Sequence, residues 1–196
     1  MTEIALFPLS AVLVPYGRMP LQIFEQRYLE LVKSSMRNGE SFGMLRIERG
    51  AEAGSARLPE LANIGTLASI VDWDQLENGL LGITVQGGQR FILGDFWRED
   101  SGLIRAEVEL RPALDRVPMI DAWEPMRTVL QGLEAHPHVQ RIGMPGDLSD
   151  AWQVAYSLVQ LLPLEEELKV ELLSITAIEE LMRELDLLLN ALSGEG

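Results

Sequence analysis

The chain has 196 residues, a formal net charge of −14 at pH 7 and no cysteine. A chain of this length can bury the core of one large domain or two small ones, and without cysteine it forms neither a disulfide framework nor a thiolate metal site. No apolar run approaches the roughly 18 residues that a membrane span needs, and no basic segment precedes a long apolar stretch as in a secretory signal. A cytoplasmic protein without membrane attachment is expected.

The negative charge is concentrated in the C-terminal part. Residues 1–117 hold 12 Lys+Arg against 16 Asp+Glu, a net charge of −4, whereas residues 118–196 hold 4 against 14, a net charge of −10. Nucleic-acid binding requires basic surface, and four arginines of the first part could line one sheet face: Arg90, Arg98, Arg105 and Arg111. Acidic residues interleave with these arginines, which favours a solvated mixed surface. Nucleic acid is therefore not expected as a partner.

The N-terminal residues predict strands followed by one helix. Apolar runs at residues 6–9, 12–14 and 19–23 are each interrupted or bounded by a proline. Because proline fixes φ and lacks a backbone donor, such strands belong at edges, at their own ends or at bulges. Apolar residues then recur at helical spacing from Phe24 to Met36, and Gly39 predicts the end of the helix.

The region from residue 42 to residue 111 predicts further strands, at residues 42–47, 64–73, 80–86, 89–97 and 103–111. Residues 50–55 have the composition of a surface loop. Asn78-Gly79 is a strong hairpin signal because both residues tolerate positive φ. Gly87-Gly88 predicts a bend or bulge that lets a barrel strand change direction.

Residues 112–118 form an acidic, proline-bounded connector, which we take as the boundary between domains 1–117 and 118–196. Four helices are predicted beyond it, at residues 122–135, 151–162, 164–175 and 177–192, and a looser stretch at 136–147 separates the first two. Ser149 or Asp150 can cap the second helix, and Thr176 with Glu179 forms a capping box for the fourth.

Several of these segments resemble the N-terminal, substrate-binding domain of Lon-type ATP-dependent proteases. The similarity lies in Phe7-Pro8-Leu9, in Pro20-Leu21 and in Phe24-Glu25-Gln26-Arg27-Tyr28, and it continues at residues 41–45, 64–68, 88–92 and 161–164. The resemblance implies an α+β fold, a PUA-like β pseudo-barrel with one inserted helix, followed by a C-terminal α-helical bundle. It also implies a role in gripping protein substrates rather than cutting them.

No residues support catalysis. A nucleotide-binding P-loop needs a lysine after glycine, but the only lysines, Lys33 and Lys169, follow valine and leucine. The serine–lysine pair of Lon proteases sits in a separate domain of that family, for which 196 residues leave no room. The pair His136 and His138 lacks a third metal ligand at a recognisable spacing. A non-catalytic binding module with no cofactor and no metal is expected.

Candidate binding residues come from loops, strand ends and the start of the first helix. They are Tyr16, Met19, Glu25, Gln26, Arg27, Trp73, Phe96 and Trp97. Aromatic and methionine side chains adapt to varied partners, and Tyr16 and Met19 lie in a proline-bounded loop that is predicted to be exposed. The expected partners are unfolded or flexible polypeptides, with a protease or chaperone as a further partner. RNA binding, or a small ligand between barrel and helices, is the alternative.

Overall fold

The computed structural model describes residues 1–50, 57–144 and 146–194, so residues 51–55 of the predicted surface loop lie outside the described part. The strands are β1 (Thr2–Leu9), β2 (Arg18–Ile23), β3 (Phe42–Arg49), β4 (Glu60–Leu61), β5 (Ile64–Gln75), β6 (Leu81–Arg98) and β7 (Ile104–Leu110). The helices are α1 (Gln26–Asn38), α2 (Glu124–Glu134), α3 (Pro137–Ile142), α4 (Ala151–Leu161), α5 (Glu166–Ser174) and α6 (Ile178–Gly194). The fold is thus a mixture of helices and strands, as predicted.

Five strands close into a ring. Strand β1 pairs antiparallel with β7 and parallel with β3, and β7, β6, β5 and β3 pair in succession. Strand β2 adds to the first half of β6, and β4 adds to the end of β3. Helix α1, inserted between β2 and β3, covers the sheet with its buried residues Tyr28, Leu31 and Val32.

The glycine pair at 87–88 is a bulge inside one long strand and does not separate two strands. Ala68 pairs with Gly87 but Thr66 pairs with Arg90, so β6 carries one extra residue at this point. A side chain at residue 87 would place its Cβ 2.0 Å from the Val14 carbonyl oxygen. Glycine is therefore required where the buried run at residues 12–14, which forms no strand, crosses β6.

The helix ends follow local signals, with two corrections. Gly39 ends α1 with φ of 68°, and the Asp150 carboxylate caps α4 by accepting from the Trp152 amide. The stretch after residue 136 is not loose, because Pro137 begins α3, where a missing N–H is tolerated. Helix α6 begins at Ile178, one residue later than the predicted capping box requires.

A buried arginine fastens the barrel to the helices. Arg90 of β6 is 4% exposed, and its Nη1 donates to the Leu173 carbonyl at 2.9 Å and the Ile175 carbonyl at 2.6 Å, both at the end of α5. The same nitrogen lies 3.1 Å from the Tyr156 hydroxyl of α4. Arg90 therefore satisfies helix-end carbonyls and does not belong to a basic surface, contrary to the sheet face considered for nucleic acid.

The run at residues 12–14 forms a second fastening between barrel and helices. The Val12 amide donates to Glu166 Oε2 at 2.6 Å, and the other oxygen of that carboxylate accepts from Lys169 Nζ at 3.0 Å. Val12 and Val14 belong to the same apolar core as α4, whose residues are buried on nearly every side. The helices and the barrel thus share one core at this point. The division into domains 1–117 and 118–196 stays a prediction.

Candidate functional site

Three exposed apolar side chains converge on one groove of the barrel. Met36, Val71 and Trp73 are 45%, 43% and 59% exposed, and all three line a groove of about 390 Å³ between the C-terminal end of α1 and β5. We call these three residues the Trp73 surface. Large apolar groups that share an exposed groove mark an interaction site more often than isolated ones do.

A second groove, of about 270 Å³, adjoins the first on the other side of Trp73. It runs over β2 and the start of β6, and Leu21, Leu76 and Ile83 contribute apolar atoms to its walls. Asp72 borders both grooves, Asp74 borders the second and Glu40 the first. The apolar surface therefore has a negatively charged rim.

The first groove exists because β3 begins too late in the chain to pair with the second half of β5. Strand β3 pairs with β5 only as far as Phe42, which lies opposite Ala68. The Oγ atoms of Ser41 and Ser69 are 2.8 Å apart, and the left-handed Gly39 then turns the preceding chain into α1. Among the pairings of the described residues, β5 beyond Ala68 pairs with β6 alone.

The free edge of β5 is covered by its own side chains. The Trp73 amide donates to Asp72 Oδ1 at 2.9 Å, and the Gln75 amide donates to Asp74 Oδ1 at 2.7 Å. Residues 71–75 are all exposed. Each of these two amides therefore has an acceptor that a small side-chain rotation would remove.

Tyr16 and Met19 are not the exposed pair that the sequence predicts. Both are half-buried, Tyr16 against the helical core and Met19 against the core beneath α1. Tyr16 has φ of 62°, and its amide donates to the Gly87 carbonyl at 2.8 Å, which fixes this loop on β6. Burial raises the pKa of the Tyr16 phenol, and the negative charge of Asp150 raises it further.

Met19 also lines a cleft of about 480 Å³ between β2 and the helices. Its other walls include Arg18, His136, His138 and Leu161. This cleft is where the alternative prediction, a small ligand between barrel and helices, would place its site.

The predicted residues of the first helix fasten α1 and also line a cleft. Arg27 Nη2 lies 2.8 Å from Glu25 Oε2, and Arg27 Nη1 donates to the Gly102 carbonyl at 2.9 Å. This geometry favours a structural role for the pair, since it holds the start of α1 to the turn between β6 and β7. Gln26 is exposed, and with Arg27 it lines a cleft of about 800 Å³ between α1, β1 and β7.

Phe96 and Trp97 lie at the end of β6, away from the hairpin that carries Trp73. Phe96 packs against the core cluster of Leu6 and Phe91, whereas Trp97 is 38% exposed. The eight predicted residues therefore do not form one site. Met36, Val71 and the two aspartates were missed because the sequence assigns Met36 to an apolar helix stripe and gives no sign that the chain leaves β5 unpaired.

The remaining chemistry of the described residues is sparse. No group of three or more His, Cys, Asp or Glu residues in ranges 1–50, 57–144 and 146–194 is placed to hold a metal ion. Within the same ranges, no helix is both long enough and apolar enough to cross a membrane. Arg105 forms ion pairs with Glu3 and Glu99, which reduces its value as a phosphate contact.

Comparison with known proteins gives one family. A family model described as the ATP-dependent protease La (LON) substrate-binding domain matches residues 3–191. The Lon protease of Vibrio parahaemolyticus is 27% identical over 114 residues, and that of Buchnera aphidicola subsp. Schizaphis graminum is 30% identical over 109 residues. These regions cover 58% and 55% of this chain but only 14% of each relative, so the chain matches a small part of those proteases.

Two solved structures described as Lon N-terminal domains are similar to this chain. The Lon N-terminal domain protein from Xanthomonas campestris has a TM-score of 0.76 and 29% identity, with 94% of this chain and 97% of that chain covered. The N-terminal domain of the Mycobacterium avium complex Lon protease has a TM-score of 0.61 and 16% identity, with 94% and 96% covered. At that identity the second likeness concerns the fold alone.

Proposed function

Because this chain belongs to the family of the ATP-dependent protease La (LON) substrate-binding domain, we propose that it binds unfolded or flexible polypeptide segments without cutting them. The observation that carries the proposal is the Trp73 surface, because its three side chains are exposed around one groove. An aromatic ring beside a flexible thioether can contact many different apolar side chains. A module that grips varied sequences needs this tolerance.

The rim of the grooves narrows the class of segment. Glu40, Asp72 and Asp74 surround the apolar walls, and carboxylates disfavour acidic partners and attract basic ones. The preferred segment is therefore apolar with flanking lysine or arginine. Since the contact is small, we expect dissociation constants of about 1 μM to 1 mM.

The binding surface is largely formed before a partner arrives. Trp73 and Asp72 lie on β5, which pairs with β6 from Asp72 to Gln75, and β6 pairs there with β2 as well. A side chain carried by a paired strand loses less freedom on binding than one carried by a loop. Trp73 is also exposed, whereas Tyr16 and Met19 are half-buried, which supports Trp73 as the anchor.

Direct peptide binding tests the proposal. Trp73→Ala combined with Met36→Ser should weaken binding of a fluorescein-labelled, ten-residue apolar and basic peptide at least tenfold, measured by fluorescence anisotropy. Both side chains are exposed, so the melting temperature should change by no more than about 2 °C. Trp97→Ala is the matched control because it removes an exposed tryptophan from the far end of β6. Unchanged affinity in the double variant, with folding intact, would contradict the proposal.

The finer architecture belongs to the same proposal. We describe the ring of strands as a PUA-like pseudo-barrel and the C-terminal helices as a bundle, with domains 1–117 and 118–196. The protein would act in the cytoplasm beside a protease or chaperone that receives the bound segment. A crosslinked pull-down separates client binding from partner binding. If the Trp73 and Met36 double variant still captures a partner that wild type captures, that contact does not need a bound client. If the double variant loses the partner, the contact depends on client binding.

A further inference from the structure

We infer that the bound segment adds to the sheet as an extra β-strand, antiparallel to β5 along residues 72–75. This inference rests on the proposed function and specifies how the polypeptide is held. Strand addition supplies affinity through backbone hydrogen bonds, and alternate side chains supply selectivity. Main-chain recognition suits a module that must accept many sequences.

The first groove is a vacant strand position. Strand β3 lies beside β5 up to the pair Phe42 and Ala68, and it is antiparallel to β5. The line of β3, extended beyond its first residue Phe42, continues into the groove. The chain does not occupy this extension, because it comes from α1 and turns at Gly39 before it reaches Ser41. A segment placed on this line runs antiparallel to β5, like β3 itself. Strand β5 carries one extra residue between Ile70 and Asp72, and beyond this bulge residues 72–75 offer a regular edge of about 14 Å at a rise of 3.4 Å per residue.

The edge also has the required donors. The amides of Trp73 and Gln75 donate to the carboxylates of Asp72 and Asp74, at 2.9 and 2.7 Å, and not to a neighbouring strand. A strand residue directs its N–H and its C=O to the same edge, so each of these residues can exchange two bonds with a partner strand. The carboxylates occupy the place of the partner's carbonyl oxygens until a segment arrives.

Charge selects which segment displaces the aspartates. Once the hydrogen bonds from the backbone amides are lost, the Asp72 and Asp74 carboxylates need new partners. Lysine or arginine side chains of the incoming strand provide them at the exposed rim. Trp73 and its pairing partner Ile83 lie on the same face of the sheet. Every second side chain of the incoming strand lies on that face. The favoured segment therefore alternates apolar and basic residues.

A competing role for the same aspartates is protection. Unpaired edges invite sheet-to-sheet aggregation, and charged side chains on an edge prevent it. The two roles differ in outcome when the aspartates are removed. A purely protective pair gives self-association without tighter peptide binding, whereas a displaceable pair gives tighter binding of uncharged peptides.

Backbone methylation provides the decisive test. In the ten-residue apolar and basic peptide, N-methylation at one set of alternate residues should weaken binding at least tenfold, because those N–H groups face β5. N-methylation of the other set should change binding less than threefold, since those groups face solvent. Equal binding of all three peptides would overturn strand addition and leave the proposed function intact. Failure of the unmethylated peptide to bind would overturn both.

Two measurements on the protein complete the test. Amide hydrogen exchange at Trp73 and Gln75 should slow at least tenfold in the peptide complex, and unchanged exchange would overturn the inference. Asp72→Ala combined with Asp74→Ala should bind an uncharged alternating peptide several-fold more tightly than wild type, with sedimentation recording the oligomeric state. Self-association of this variant without gain in affinity would assign the aspartates to edge protection alone and overturn the inference.

Discussion

Replacing Arg90 by methionine should loosen the helices from the barrel. The guanidinium donates from one nitrogen to two carbonyls at the end of α5, at 2.9 and 2.6 Å, within a site where Arg90 is 4% exposed. A buried acceptor left without a donor costs about 1–3 kcal/mol, so the two carbonyls account for about 2–6 kcal/mol. The Arg90 Nε has no hydrogen-bond partner within the described part of the chain, and removing it returns part of this cost. We expect a net loss of about 3 kcal/mol.

Urea unfolding measures this loss. With a slope of about 2 kcal/mol per M, Arg90→Met should lower the unfolding midpoint by about 1.5 M. The near-ultraviolet circular dichroism of Trp152 should also change, because its ring centroid lies 5.9 Å from the guanidinium carbon. Tyr156→Phe is the control, since it removes only one polar contact of Arg90. A loss below 1 kcal/mol in Arg90→Met would refute the role of Arg90 as the fastening between barrel and helices.

The remaining predictions concern stability and catalysis. Burial raises the pKa of Tyr156 to about 12 from 10. About 2–3 kcal/mol of stability is therefore present below pH 10 and is lost between pH 10 and pH 12. Tyr156→Phe should remove this pH dependence of the urea midpoint, which wild type alone should show. Gly87→Ala should lower the free energy of unfolding by about 3 kcal/mol, because its Cβ would meet the Val14 carbonyl. Gly39→Ala should lower it by about 1 kcal/mol, for its positive φ alone. Thermal unfolding ranks the two variants. Tyr16→Ser with Met19→Ser should lower stability by about 2 kcal/mol, since both side chains are half-buried, and an unchanged melting temperature would contradict their packing. Purified chain should release neither phosphate from ATP nor fragments from casein.

Local signals predicted much of the backbone. Glycine at positive φ marks the end of α1, and the carboxylate of Asp150 marks the start of α4, because both effects depend on neighbours within four residues. The bulge at Gly87 was also predicted, although the need for glycine there comes from the carbonyl of Val14, 73 positions earlier in the chain. The family resemblance predicted the mixture of strands and helices.

The side-chain positions depended on distant contacts and were harder to predict. Arg90 resembles a surface residue in sequence, yet its acceptors lie on α4 and α5, more than 60 residues away. Tyr16 was expected to be exposed, but its positive φ and its bond to Gly87 direct it against the helical core. The free edge of β5 depends on where β3 begins, which no local pattern in β5 indicates.

The closure of the ring dictates an order of assembly during synthesis. Strand β1 can pair with β3 once Gly43 has been made, 37 positions after its partner Leu6, but its other edge waits for β7, more than 100 positions later, as in the pair Thr2 and Val108. Arg90 then waits for Ile175 to leave the ribosome. Until these contacts form, apolar strands remain open to aggregation or to chaperones. A nascent chain stalled before residue 104 should therefore be protease-sensitive throughout, and protection should appear in steps as β7 and then α5 emerge.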